Sequence, residues 1–351
     1  MRDGTLFFTY LFCALVMVGF VVAVSMNRRI RWNDAAFGAL VAAFPNTGFM
    51  GVPLLVALAG LSLALHAAES GAKVIVLEAK TVGWGASSRN SGHVPPATKY
   101  TPDEMMRLYG PERGRRLIAA TREGPELVFG LAEKHRMNAA VVRSGSIVAA
   151  HTPAALESLK RRVEALQELG YPAEILDRRR AAEAIGSAES YYCGCSLDRQ
   201  GGTINPLAYV RGLARAAMAA GAEIHEGSPA TSLTRDNGLW YITTPQGRVS
   251  AEFAALCTNA YTDDLWPGLK QTIVPVRAYQ YVTRPLGENV RRTILPGLQG
   301  MTDTRRLMSG IRMLPDGRML FSGRGPPFGP EGRPMTEISA QRIASIFPQI
   351  G

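Results

Sequence analysis

The residues best suited to chemistry lie between Gly60 and Gly92. Residues 74–77 form a continuous apolar run, which predicts a parallel strand covered on both faces, and Glu78 follows at its carboxyl end. In dinucleotide-binding βαβ units, an acidic residue about twenty positions after a glycine turn accepts hydrogen bonds from ribose hydroxyls. Glu78 lies eighteen residues after Gly60. It is therefore a candidate ribose ligand, although a carboxylate that only ends a strand in solvent fits the spacing equally well.

Small residues dominate the stretch that follows, residues 82–92. Where side chains are short, backbone amides can approach a pyrophosphate or a ring system closely. The preceding residues 61–70 are rich in Leu and Ala and predict a helix, with Gly71 at its C-cap. The candidate cofactor-binding residues are Gly60, Glu78, Ala79, Lys80, Gly85, Ala86, Ser87, Arg89, Asn90, Ser91 and Gly92.

The sequence VIVLEAKTVGWGASSRNSGHV, residues 74–94, resembles the second flavin-binding block of FAD-dependent amine and amino-acid oxidases. That family includes D-amino-acid, glycine, sarcosine and γ-glutamylputrescine oxidases, and the putrescine type is the most similar. The similarity continues through residues 201–227, 255–261 and 273–286, so it covers roughly residues 60 to 351. It implies an α/β fold with a Rossmann-like FAD-binding domain and an antiparallel-sheet substrate domain that lies over the flavin.

The resemblance also implies a reaction and its partners. Hydride transfer from the α-carbon of a small-molecule amine to flavin N5 gives an imine, and oxygen reoxidises the flavin to yield peroxide. By the same resemblance, Ala230, Thr258 and Asn259 contact the cofactor. The expected division of the chain is residues 1–59 as membrane segments, residues 60–144 and 200–262 as the FAD-binding domain, and residues 145–199 and 263–351 as the substrate domain.

Three side chains are candidates for a direct part in catalysis. Arg277 and Arg324 are candidates to hold a carboxylate or polarise the substrate, and His93 is a candidate to face the flavin ring or attach to it covalently. The simpler interpretations are two solvated or core-edge arginines and a loop histidine. No acid or base is dictated by the sequence, because the flavin performs the redox step.

The chain departs from the family at the first glycine turn, Gly-x-Gly-x-x-Gly. Leu55 and Ala57 occupy the first two glycine positions, and only Gly60 remains. A leucine fills space that the cofactor needs, and an alanine is strained at positive φ. Residues 51–56 are apolar enough for a strand, but Pro53 cannot donate to a central ladder, so one continuous helix over residues 54–65 is slightly favoured.

A second family motif, a glycine-rich turn near the flavin's pyrimidine side, has no counterpart up to Gly351. We therefore expect FAD to bind weakly or not at all, and a non-catalytic fusion product remains an alternative function.

The first 65 residues contain two long uncharged stretches, residues 6–24 and 35–65, separated by a basic segment at residues 27–32. Nineteen uncharged residues nearly suffice to cross a bilayer, so one or two transmembrane helices and a membrane location are expected. A cleaved signal peptide fits less well, and the side on which the flavin domain lies stays open. The sequence AAFGALVAAFPNTGFMGVPLLVALAG resembles auxin efflux and malonate carriers, so a transporter fragment is a further alternative.

Composition excludes several other classes. The net charge of +10 comes from scattered basic residues without interleaved aromatics, which argues against nucleic-acid binding. Four cysteines make no disulfide framework in 351 residues. Cys193 and Cys195 are too close for an easy disulfide and lack further ligands for zinc, so they predict a loop of small residues and no metal site.

Local patterns predict the remaining elements. Helices are expected over residues 102–137, with breaks at Gly110 and at Gly124, and over residues 153–169. Asn205 caps a helix that runs to residue 220 and packs inward through Leu207, Val210, Leu213 and Met218. Strands are expected at residues 145–150, 223–225, 254–258, 273–285 and 318–324, with a hairpin at residues 240–253.

Overall fold

The computed structural model describes residues 52–96, 100–274, 276–306, 308–323, 325–326 and 335–350, with side chains from Gly60 onward. Its helices are α1 Val52–Glu69, α2 Ala86–Arg89, α3 Pro102–Tyr109, α4 Pro111–Lys134, α5 Pro153–Glu168, α6 Arg178–Ile185, α7 Pro206–Ala219, α8 Glu288–Arg291 and α9 Thr336–Ile346. Its strands are β1 Ile75–Leu77, β2 His93–Val94, β3 Ser146–Ala150, β4 Ala173–Leu176, β5 Gly194–Asp198, β6 Gly202–Thr203, β7 Glu223–His225, β8 Ser232–Asp236, β9 Leu239–Thr244, β10 Gly247–Ala251, β11 Tyr279–Val282, β12 Gly300–Asp303, β13 Gly310–Met313 and β14 Met319–Gly323.

Helix α1 passes without a break through residues 55–60, so the prediction of a continuous helix at the first glycine turn is confirmed. The helix ends as the sequence predicts, because Gly71 has a φ of +84° and the amide of Ala72 donates to the carbonyl of Ala67. Ala64, Leu65 and Ala68 face inward and belong to a core shared with α7. Packing of this apolar stripe on α7 holds the helix in place.

A two-stranded parallel sheet follows α1, in which β1 pairs with β7 and Ile75 lies opposite Glu223. The prediction of a strand covered on both faces is wrong, because Ile75 is 43% exposed. In a doubly wound sheet the first strand lies beside the second, near the centre. Here α1 occupies those chain positions, and no strand in the described residues pairs with the other edge of β1.

The same missing neighbour explains a second difference. Residues 254–258 were expected to form a strand, but they have no regular structure. A strand needs a hydrogen-bonding partner along its edge. The segment reaches α1 instead, where Cys257 packs on Gly60.

The larger sheet has seven strands in the order β11-β14-β13-β12-β3-β5-β4. Neighbouring strands are antiparallel except for the parallel pair β12 and β3, where Gly300 lies opposite Ser146. Its core includes Ile147, Cys195 and Met301. The predicted loop at residues 193–195 is therefore wrong, because Gly194 and Cys195 pair with β3. A separate antiparallel sheet, β8-β9-β10, contains the predicted hairpin.

Two helices differ from their predicted patterns. Helix α4 contains Pro125 and shows no break there. Pro125 is buried, and Phe129, one turn later, belongs to the core shared by α1 and α7, so packing outweighs the hydrogen bond lost at the proline. Helix α7 begins as predicted, with the Asn205 Oδ1 accepting from the amide of Ala208 at 3.1 Å. Met218, however, is 49% exposed, since it lies one position past the buried stripe.

The predicted membrane spans fall largely outside the described residues. Over the parts of the chain that the structure describes, no helix combines the length and the apolar character needed to cross a bilayer. The segment resembling carrier proteins lies mostly in residues 35–51, which are not among those described.

Candidate functional site

Glu78 lies at the tip of β1, as the sequence predicts. Its amide donates to the carbonyl of His225 and its carbonyl accepts from the amide of Ser228, both at 2.9 Å. The carboxylate is half-buried and its Oε1 accepts from the amide of Lys80 at 2.9 Å. Ala79 and Lys80 are exposed. These backbone contacts fix the carboxylate at the end of the parallel sheet, where a nucleotide ribose would be held.

Short polar side chains shape the loop of residues 83–92. The Ser88 hydroxyl donates to the carbonyls of Gly83 and Gly85, and the Asn90 amide nitrogen donates to the carbonyl of Ser87 at 2.8 Å. The Asn90 Oδ1 accepts from the amide of Gly92, also at 2.8 Å. Gly83 and Gly92 have φ values of +82° and +73°, which suit glycine. The loop is thus held by its own side chains and presents main chain near Gly85 and Ala86.

An aromatic pair joins this loop to the predicted contact residues Thr258 and Asn259. The rings of Trp84 and Tyr261 lie 5.5 Å apart, and a Cβ placed on Gly85 would lie 3.0 Å from the Tyr261 ring. The Arg89 guanidinium lies 5.0 Å from the Trp84 ring centre. Trp84 is 43% and Tyr261 52% exposed. These contacts bring residues 258–261 against the flavin block, as expected from the resemblance.

Ala230 is half-buried and follows the turn that contacts Glu78 through Ser228. Most of the predicted cofactor-binding residues therefore converge on one region. Ser91 and Gly92 are buried, and Ser91 is only 1% exposed.

Gly60 has a different role from the other predicted contact residues. A Cβ on Gly60 would lie 3.1 Å from the Cβ of Cys257, so this glycine allows α1 to approach residues 254–258 closely. Close packing is the role of the third glycine in a dinucleotide-binding turn. Within a helix, however, backbone amides donate to carbonyls four residues earlier. The amides of residues 56–60 are therefore not available to a pyrophosphate.

FAD fits this chain in part. The strand tip at Glu78 and the loop of residues 83–92 suit the ribose and the approach of main chain to a cofactor. The helical backbone at residues 55–60 does not suit the pyrophosphate, and the side chains of Leu55 and Ala57 lie outside the described ones.

His93 is not the loop histidine that the simpler interpretation expects. It lies in β2 opposite Thr203 and is only 3% exposed. Burial, assisted by the charge of Arg312 and opposed by a backbone hydrogen bond at Ile311, lowers the pKa of His93 to about 3. The imidazole is therefore neutral at ordinary pH, and its Nε2 has no hydrogen-bond partner within the described residues.

Of the two candidate arginines, Arg277 is exposed before β11, and Arg324 falls outside the described residues. Sequence reasoning missed Arg312, which lies in β13 and is 6% exposed. Its Nη1 donates to the carbonyl of Ile204 at 2.7 Å, and burial lowers its pKa to about 10. The available signal was an arginine between Ile311 and Met313 in an apolar run.

Arg122 in α4 is the second buried arginine that sequence reasoning missed. It donates to both carboxylate oxygens of Asp198, to Gln200 Oε1 and to the carbonyl of Pro96. Its guanidinium also lies 4.5 Å from the Tyr171 ring centre. Arg122 thus joins α4 to the end of β5, and its charge is paired with the Asp198 carboxylate.

Comparison with known proteins decides the family. The model of the DAO family, described as FAD dependent oxidoreductase, matches residues 58–350. The chain belongs to this family of FAD-dependent oxidoreductases. The resemblance seen in residues 74–94 is therefore confirmed, and the transporter interpretation has no support from these residues.

Relatives with assigned names include two bacterial members of the family. The probable oxidoreductase OrdL of Rhizobium meliloti is 30% identical over 293 residues, which cover 83% of this chain and 67% of that protein. The γ-glutamylputrescine oxidoreductase of Escherichia coli is 29% identical over 294 residues, 83% of this chain and 68% of that protein.

Solved structures share the fold. Glycine oxidase of Geobacillus kaustophilus superposes with a TM-score of 0.62 at 20% identity, covering 86% of this chain and 77% of its own. L-proline dehydrogenase of P. horikoshii gives a TM-score of 0.63 at 16% identity, and the superposition covers 86% of this chain and 76% of that protein. The α/β fold of this oxidoreductase family is thus confirmed.

Proposed function

We propose that this chain oxidises an amine or amino acid to an imine, with γ-glutamylputrescine as the first substrate to test. The amine loses two electrons and two protons, and oxygen takes them up as hydrogen peroxide. FAD, when bound, supplies the electron acceptor for this reaction. The observation that carries the proposal is the convergence of Glu78, the loop of residues 83–92 and residues 258–261 at the end of β1.

The two separate hydrophobic cores support a division of the chain into two domains. One core draws on residues 61–141 and 204–222, and the other on residues 147–197 and 281–350. We infer that residues 60–144 and 200–262 form the FAD-binding domain and that residues 145–199 and 263–351 form the substrate domain. The γ-glutamylputrescine oxidoreductase of Escherichia coli suggests the substrate class.

The test of this activity separates binding from chemistry. The full chain is first saturated with FAD under anaerobic conditions, and γ-glutamylputrescine is then added. L-proline and glycine are tested in the same way for comparison. We expect bleaching of the flavin absorbance, followed by one peroxide per amine after air is admitted. If no amine bleaches the flavin while FAD is demonstrably bound, the chain does not have this activity.

We further propose that the chain binds FAD weakly, because α1 replaces the glycine turn. The supporting observation is that α1 continues without a break through residues 55–60, so the amides of residues 56–60 donate within the helix. The double substitution Leu55→Gly with Ala57→Gly restores the motif around Gly60. Each glycine weakens the helix by about 1 kcal/mol, which frees backbone amides.

We expect the double variant to bind FAD more tightly than the parent chain, as measured by quenching of flavin fluorescence. The matched control is Ser62→Gly with Leu63→Gly, which weakens the same helix outside the motif. Equal FAD affinity in the motif variant and the control would mean that the lost glycines do not limit binding. Tight binding of FAD by the parent chain would also overturn the proposal.

A further inference from the structure

Asp303, the last residue of β12, is a buried carboxylate that two arginines share. Its Oδ2 accepts from Arg305 Nη1 at 2.8 Å and from Arg342 Nη2 at 3.1 Å, and its Oδ1 accepts from the amides of Arg305 and Ser309. The Asp303 side chain is 0% exposed, whereas those of Arg305 and Arg342 are 27% and 16% exposed. One carboxylate neutralises one of the two guanidinium charges, so a positive charge remains where the arginines reach solvent.

Two buried hydroxyl groups beside these arginines lack a hydrogen-bond partner within the described residues. They belong to Tyr192 and Ser309, which are 2% and 1% exposed. The Arg305 guanidinium lies 5.7 Å from the centre of the Tyr192 ring. Burial, reinforced by the charge of Asp303, raises the pKa of Tyr192, so its hydroxyl keeps its proton and can donate. Because buried polar groups are normally hydrogen-bonded, both hydroxyls point to an acceptor from outside the described chain.

These groups lie on the face of the large sheet that is turned away from the flavin block. Side chains alternate between the two faces along a strand. Gly300, at the start of β12, faces His93 of the flavin block, because a Cβ on Gly300 would lie 3.0 Å from His93 Cδ2. Met301 and Asp303 therefore lie on the opposite face, where Met301 and Tyr192 belong to the same hydrophobic core.

We propose that the cluster of Tyr192, Asp303, Arg305, Ser309 and Arg342 binds a phosphate group, either as the free ion or within a phosphate ester. Asp303 orients the two guanidiniums, and each guanidinium keeps further N–H donors for phosphate oxygens. The two hydroxyls donate to the remaining oxygens. A carboxylate ligand has fewer oxygens and would leave some of these donors unpaired.

The experiment measures anion binding to the full chain by calorimetry, both without FAD and with saturating FAD. Three probes divide the possible ligands: inorganic phosphate represents the free ion, methyl phosphate an ester, and acetate a carboxylate. None of these measurements requires turnover, so a failure of the proposed amine oxidation leaves the result intact.

The variants separate a ligand site from a structural cluster. Tyr192→Phe and Ser309→Ala each remove a hydroxyl that has no acceptor within the described residues. Arg342→Met removes a guanidinium, and Arg342→Lys keeps its charge. The matched controls are Tyr209→Phe, a tyrosine that is also 2% exposed but lies in the other core, and Arg318→Met, an exposed arginine at the far end of the β13–β14 hairpin.

We expect the phosphate probes to bind more tightly than acetate, and the tighter of the two identifies the free ion or an ester. Tyr192→Phe and Ser309→Ala should each weaken phosphate binding by roughly 10-fold, the worth of a hydrogen bond to a charged group. Arg342→Met should weaken it by roughly 10- to 100-fold, and Arg342→Lys should retain part of the affinity. Both controls and saturating FAD should leave the affinity unchanged.

Four results would overturn the inference. Unchanged phosphate affinity in both hydroxyl variants would mean that water satisfies the hydroxyls and that the cluster only joins α9 to β12. Loss of phosphate binding on addition of FAD would place the anion in the cofactor site. Acetate binding as tight as phosphate, or no binding of any probe, would exclude a phosphate site. A lower denaturant midpoint of unfolding in both hydroxyl variants would make the hydroxyls structural, whereas we expect an equal or higher midpoint.

Discussion

Cys257 packs directly on Gly60, with its Cβ 3.1 Å from the position that a Cβ on Gly60 would take. This contact joins α1 to residues 254–258, two segments separated by almost two hundred positions in the chain. It preserves the close approach that a dinucleotide-binding turn requires at its third glycine, although the first two glycines are lost. Gly60 therefore acts here through packing.

Substituting Gly60 tests this contact. We expect Gly60→Val to lower the free energy of unfolding by about 1–3 kcal/mol, because the new methyl groups collide with Cys257. Cys257→Gly should recover part of the loss in the double variant. The control is Gly130→Ala in α4, where a Cβ meets nothing within 4 Å and the helix should gain up to about 1 kcal/mol. Urea denaturation provides the measurement, and equal effects at Gly60 and Gly130 would contradict the packing role.

Local signals account for what the sequence predicted correctly. Gly71 ends α1, Asn205 caps α7 and Glu78 follows β1 because each feature depends on a few neighbouring residues. The flavin block was recognisable for the same reason, since its glycines and short side chains close the loop by hydrogen bonds within eleven residues.

Contacts between distant segments account for what the sequence did not predict. Residues 254–258 have the composition of a strand but lack a neighbour, and Pro125 stays within α4 because of packing. The burial of His93 and Arg312 depends on segments far apart in the sequence, because His93 pairs with Thr203 and Arg312 donates to the carbonyl of Ile204. An arginine in an apolar strand pattern gives a weak signal, since exposed arginines are far more common.

The pair of Arg122 and Asp198 should contribute strongly to stability. Asp198→Asn leaves a buried guanidinium without its counterion, so we expect a loss of about 3–5 kcal/mol in the free energy of unfolding. Arg122→Met combined with Asp198→Asn should lose less than the two single variants together. Glu126→Gln, which breaks the exposed pair with Arg143, is the control and should cost under about 1 kcal/mol. A similar cost at both pairs would show that burial does not matter at Asp198.

His93 should make stability depend on pH. The folded pKa of His93 is about 3, below its ordinary value of 6.5. Between these two pH values the imidazole is protonated in the unfolded chain and neutral in the folded chain. Stability from this group is complete above pH 6.5 and falls as the pH drops towards 3, by roughly 3–5 kcal/mol in total.

The measurement is the difference in unfolding free energy between the parent chain and His93→Gln at each pH, which cancels the titration of other groups. That difference should shrink steadily below pH 6.5, because glutamine has no proton to gain. A difference that stays constant down to pH 4 would mean that His93 titrates normally in the folded chain.

Substitution of Glu78 should weaken only the binding of the adenosine half of FAD. Because its carboxylate lies at the tip of β1, we expect Glu78→Ala to weaken FAD binding by roughly 10- to 100-fold, through loss of hydrogen bonds from the ribose. FMN has no adenosine, so its affinity should be unchanged. Glu223→Ala, on the strand beside β1, is the matched control and should bind FAD as the parent chain does. Equal weakening of FAD and FMN by Glu78→Ala would indicate a general disturbance of the loop instead of lost recognition of the ribose.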